Sequence, residues 1–159
     1  VAGLFLLNGL FNMVLAPKIG QLIVRFGERK ALMLEYIGLI VVFLSYAFVT
    51  NEHVAAGLYV IDHAFFAIAI AIKTYFQKIA DPGDIAPTSG VAFTINHIAA
   101  VFIPVVFGFI WLYSPAAIFL AGAAMAGASL FLASIIPGNP ATGNEVDFWF
   151  RQPAPQAAE

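Results

Sequence analysis

Long apolar runs, interrupted only by short polar connectors, limit this chain to very few folds. Five windows, at about 1–24, 30–50, 54–79, 87–111 and 114–136, each supply the roughly 20 predominantly apolar residues that a helix needs to cross a bilayer. Backbone N–H and C=O groups in hydrocarbon must be satisfied within the chain, so such segments form helices. Of the 159 residues, 62% are hydrophobic and 10% are charged, whereas a soluble domain carries about 25% charged residues. A water-facing surface cannot be covered from that supply. The expected fold class is an all-α integral membrane protein with five transmembrane helices. Cysteine is absent, which excludes disulfides, thiol catalysis and Cys-based zinc or iron–sulfur sites.

The connectors set orientation. Asn51-Glu52-His53, Asp81-Pro82-Gly83-Asp84 and Tyr113-Ser114-Pro115 are tight enough to make sequential spans antiparallel. Lys18, Arg25, Arg29 and Lys30 then fall at the first connector, Lys73 and Lys78 approach the third, and Arg151 lies in the tail. All seven basic residues belong to one side, which the positive-inside rule makes cytoplasmic. The expected location is the inner or plasma membrane, with a cytoplasmic C-terminus. Val1 is not a start methionine, and apolar sequence begins at once, without the charged n-region or cleavage site of a signal peptide. The chain therefore reads as a fragment of a longer protein. Residues 137–159, rich in Pro, Gly, Ala and Asn, read as a disordered cytoplasmic tail. Two readings apply to its Phe148-Trp149-Phe150-Arg151 cluster: contact with the membrane interface, or a loose end.

The first connector carries a pattern, Gly20-x-Leu22-x-Val24-Arg25-x-Gly27-Glu28-Arg29-Lys30. Glycines at this spacing permit close backbone approach and a tight reversal, and the basic residues suit a headgroup region with anionic lipids. The pattern resembles the signature loop of the major facilitator superfamily, Gly-x-Leu-Ala-Asp-Arg-x-Gly-Arg-Arg. In that family the loop joins helices two and three and recurs, more degenerately, between helices eight and nine. Here Val24 stands at the family's acidic position and Glu28 at its first arginine after the second glycine. The family's acid takes part in a cytoplasmic charge latch, which this copy cannot form at Val24. The degeneracy, the four spans that follow, and a third span without the early arginine of a fourth helix favour the second half. The resemblance covers residues 1–136 and implies helices eight to twelve of a 12-helix transporter, with a missing N-terminal half as partner; helices two to six of the first half are the other placement. In the last span, residues 121–129 are mostly small, as close helix packing requires.

Polar residues inside the spans point to a site, because an ionisable group at the bilayer centre costs about 2.5–3.5 kcal/mol on insertion scales. Asp62 and His63 lie about 13 Å into the third span at 1.5 Å per residue. Asn96 and His97 lie at similar depth in the fourth, approached from the opposite side. Secondary transporters place substrate and coupling-ion sites near this midplane. Helical phase groups Tyr59, Asp62, Phe66 and Lys73 on one face. It groups Gly90, Thr94, His97, Val101, Pro104 and Gly108 on another. Pro104 removes a hydrogen bond to the Ala100 carbonyl and is a candidate hinge. The resemblance makes the third span the tenth helix, which lines the central cavity, so Asp62 is the leading candidate.

Plainer roles stand beside these. Asp62 with His63, and Asn96 with His97, have the chemistry of interhelical packing nodes; Lys73 can snorkel; Lys18 can snorkel or face the cavity. Glu35 is expected to pair with a base of the signature loop. Asn8 and Asn12 read as helix–helix glue or substrate contacts, and His53 as solvated.

The function implied is secondary transport of a small solute by alternating access. Proton coupling is available to a site holding histidine, which titrates near neutral pH. One alternative is a membrane redox protein with His63 and His97 as axial haem ligands on adjacent antiparallel helices. Another is a membrane scaffold or channel piece without transport. No phosphate-binding Gly-x-x-x-x-Gly-Lys-Ser/Thr loop and no hydrolytic constellation occurs. No enzymatic activity, cofactor, metal or nucleic-acid partner is expected; the partners are the lipid bilayer, the missing half and a small solute.

Overall fold

A computed structural model describes residues 2–147, apart from several side chains of the first helix. Expectations for the Phe148–Arg151 cluster and for the Asn8 and Asn12 side chains lie outside the described residues. The elements in chain order are α1 (Ala2–Phe26), α2 (Glu28–Phe48), α3 (Glu52–Phe66), a short 3₁₀ segment (Ala67–Ala69), α4 (Ile70–Ile79), α5 (Ile85–Trp111) and α6 (Pro115–Ser134). Four units are long and apolar enough to cross a membrane: α2, the α3–α4 unit Glu52–Ile79, α5 and α6. Helix α1 extends over 25 residues. The expected spans and the observed helices agree within about two residues at each end.

Helix ends follow local chemistry. Asn51 caps α3 with its side-chain oxygen, which accepts from the backbone N–H groups of His53 at 2.8 Å and Val54 at 3.4 Å. Ser114 caps α6 by accepting from Ala117 N–H at 3.3 Å, and Pro115 follows at the first helical position.

Helix α2 is the hub. It packs most extensively on α6 and also meets α1, α3 and α4. Lipid tails are as apolar as leucine, so close van der Waals fit rather than escape from water drives such contacts. The α6 seam is accordingly built from Ala123, Ala126 and Ala133, all buried. Beside them Gly122 lets the Phe43 ring approach; a Cβ there would lie 3.2 Å from Phe43 Cδ2. Gly38 does the same for α3, where any Cβ would collide with the Phe65 ring.

The two ends of the bundle are tied differently. At one end Ile19, Ile23, Ala31, Leu32, Ile68, Ala71, Ala133 and Ile136 form a continuous core. Residues 137–147, the first part of the expected tail, lie against this end. Tyr75 Oη donates to the Glu145 carbonyl at 2.5 Å, Asp147 N–H donates to the Ile135 carbonyl at 2.7 Å, and Pro137 and Pro140 are buried. At the other end Tyr46 stacks on Phe119 with centroids 5.0 Å apart, Trp111 meets Phe119 edge-on at 6.2 Å, and Tyr46 Oη donates to the Ala55 carbonyl. Helix α5 is the outlier: it packs on α6 and buries none of its residues.

Candidate functional site

The signature-like loop is more compact than its sequence suggests. Helix α1 runs through Pro17, Lys18 and Gly20 to Phe26, so the reversal is made at Gly27 alone. Gly27 has φ 82, a left-handed conformation that glycine adopts without the steric cost of a Cβ. Gly20, expected to serve close approach, lies inside α1 with nothing within 4 Å of where a Cβ would stand. Arg25 occupies the last turn of α1, where a cation complements the helix dipole, and its guanidinium carbon lies 5.6 Å from the Phe26 ring centroid. Lys18 and Lys30 are exposed and Arg29 is half-buried.

One acid in this loop has a partner from another span. Glu28, 3% exposed at the start of α2, receives an ion pair from Lys78 Nζ at 2.6 Å. The pair joins the α1–α2 turn to the end of α4 and borders a pocket of about 360 Å³ shared with Arg25, Gly138 and Asn139. The expectation that Glu35 pairs with a loop base is not met. Glu35 sits two turns further along α2, 2% exposed, with Oε2 buried and without a hydrogen-bond partner among the described residues. Helical rise separates it from the loop by about 10 Å.

Asp62, His63 and Tyr59 form a half-buried group on α3. His63 Nδ1 is 2.9 Å from the Tyr59 carbonyl oxygen and 3.8 Å from Asp62 Oδ2, and its ring lies 4.2 Å from the Tyr59 ring centroid. Across the seam, Tyr46 of α2 lies close enough to feel the charge of Asp62.

Lys73 and Asn96 come together at a second place. They line an open cleft of about 620 Å³ between α4 and α5, with Gln77, Thr88 and Ser89 as further polar walls and Phe76 and Phe93 as aromatic ones. His97, adjacent to Asn96 and exposed, directs Nδ1 to the Phe93 carbonyl at 2.9 Å and lies 3.9 Å from the Phe93 ring centroid. The expected single face of Tyr59, Asp62, Phe66 and Lys73 is altered by the 3₁₀ segment at Ala67–Ala69. Three residues at 120° rather than 100° turn Lys73 roughly 60° away from the Asp62 face. The interruption of regular helix falls there, whereas α5 continues through Pro104 to Trp111.

Two groups escaped the sequence reading. Gln77, Thr88 and Ser89 lie near helix ends, where polar residues are ordinary, and only the cleft between α4 and α5 unites them with Lys73. Glu28 was visible as a departure from the loop pattern. Its partner Lys78 lies 50 residues away and carried no local signal. His63 and His97 sit on α3 and α5, which pack on α2 and α6 respectively and are not close-packed neighbours. The adjacency expected of a bis-histidine haem site is therefore not seen.

These features define an all-helical bundle with four units long and apolar enough to cross a membrane. No family model, curated protein or solved structure matches the chain.

Proposed function

We propose that this chain is the C-terminal half of a major facilitator-type secondary transporter, moving a small solute by alternating access. The signature-like loop from Gly20 to Lys30 and the five-helix order support that family reading. One observation carries the transport reading: polar residues from two apolar spans, Lys73 and Asn96, are brought together in one open cleft. In addition to that cleft, the Asp62–His63–Tyr59 group stands half-buried on α3. Polar groups cost free energy at membrane depth, and a water-filled solute path compensates for it. The other half of the protein would close that path over the exposed α5. The side bearing Arg25, Arg29, Lys30 and Lys78 is cytoplasmic in this reading.

Asp62 and His63 are the proposed proton-coupling group. The test uses the protein in proteoliposomes loaded with a pH-sensitive dye and challenged with a panel of metabolite-sized solutes. Proton movement on addition of one solute, abolished in Asp62→Asn with insertion intact, is the expected result. Solute uptake unchanged in Asp62→Asn removes Asp62 from the mechanism. Absence of solute or proton flux across the panel contradicts transport.

A further inference from the structure

The α4–α5 cleft has a charge character that its position in the fold does not require. Among its lining residues Lys73 is the charged one, and no Asp or Glu takes part. The connector acids Asp81 and Asp84 lie outside the lining. The Lys73 ammonium forms no ion pair among the described residues, in contrast to Lys78, which is committed to Glu28. Around Lys73 stand amide N–H donors from Gln77 and Asn96 and the Thr88 hydroxyl. Ser89 Oγ already donates to the Ile85 carbonyl at 2.6 Å, so it faces the cleft as an acceptor. The remaining wall is apolar: Ile72, Phe76, Ile85, Ala92 and Phe93.

A single cation with neutral donors attracts one negative charge, and charge-assisted bonds to a carboxylate are the strong ones. The aromatic walls reward an apolar body of similar width. The cleft volume of about 620 Å³ lies within the range of roughly 300–1,000 Å³ typical of small-molecule sites. From Ile85 to Asn96 the wall extends about 16 Å at helical rise, long enough for a solute to pass from helix end toward mid-span.

We propose that the α4–α5 cleft binds a small organic anion with an apolar body, its carboxylate on Lys73 and its body between Phe76 and Phe93. This rests on the transporter reading and names its substrate class. An anionic lipid offers the same chemistry, so the test separates the two sources.

The probe is radiolabelled phenylacetate in equilibrium dialysis against the protein in phosphatidylcholine nanodiscs, beside phenethylamine and phenylethanol. Saturable binding of phenylacetate alone is expected, weakened about tenfold or more in Lys73→Ala and largely kept in Lys73→Arg. Gln77→Leu, which keeps the cation and removes a donor, should weaken it less. Equal binding of all three probes, or none of phenylacetate, overturns the proposal. So does loss of binding in nanodiscs of phosphatidylglycerol, which would assign the cleft to lipid headgroups. Failure here with solute-driven proton flux intact rejects the substrate class and leaves the transport reading standing.

Discussion

Glu28 and Glu35 stand seven residues apart on α2, within about 20° of the same face, and both are buried. Their surroundings differ. Glu28 has Lys78 at 2.6 Å, whereas Glu35 Oε2 has no hydrogen-bond partner among the described residues. Removing one partner of a buried pair leaves an uncompensated group, but Lys78 is half exposed and water offsets part of the loss. Lys78→Ala is therefore expected to destabilise the protein by about 1–2 kcal/mol, and the added Glu28→Gln should recover most of it. A thermal-unfolding cycle in detergent checks this; additive losses would deny the pairing. Glu35→Met should act in the opposite direction and raise the melting temperature, because an apolar side chain of similar size needs no partner. A lower melting temperature for Glu35→Met would show that the carboxyl is held by interactions beyond those described.

At the scale of elements, the α2 seams depend on missing side chains. Gly38→Leu would drive a side chain into the Phe65 ring. Overpacking of this kind costs about 1–3 kcal/mol. The predicted outcome is a lower melting temperature for Gly38→Leu, partly restored by Phe65→Ala, whereas leucine at Gly127 should be tolerated, since a Cβ there meets nothing within 4 Å. Equal effects at the two glycines would contradict the close approach of α2 and α3.

Much at this scale was legible in sequence. Span limits were readable because a window of apolar residues reports the backbone's need for internal hydrogen bonds in lipid. The turn at Gly27 was readable because positive φ selects glycine. The face of Lys73 was not, because nothing in Ala67-Ile68-Ala69 announces a 3₁₀ segment. The expected pairing of Glu35 with a loop base fails because seven residues of helix, about 10 Å, separate it from the turn. The cleft was half legible: Lys73 and Asn96 stood out as polar residues in apolar runs, while Gln77, Thr88 and Ser89 became cleft walls only through tertiary placement.

At the scale of the whole molecule, the described residues form a hub of α2 and α6 with α5 displayed on its flank. One end gathers Arg25, Arg29, Lys30, Lys78 and residues 137–147, while the other is fastened by Tyr46, Trp111 and Phe119. In the transporter reading α5 and the Asp62 group face the path that the other half completes. The absence of cysteine from these 159 residues makes that claim open to a direct measurement. Asp62→Cys, in the protein freed of other cysteines, is treated with a membrane-impermeant maleimide in right-side-out and in inverted vesicles. Leu132→Cys on the outer surface of α6 is the control. Alternating access predicts that position 62 reacts from both sides while position 132 reacts from neither. Reaction at position 62 from one side only, or from neither, would contradict it.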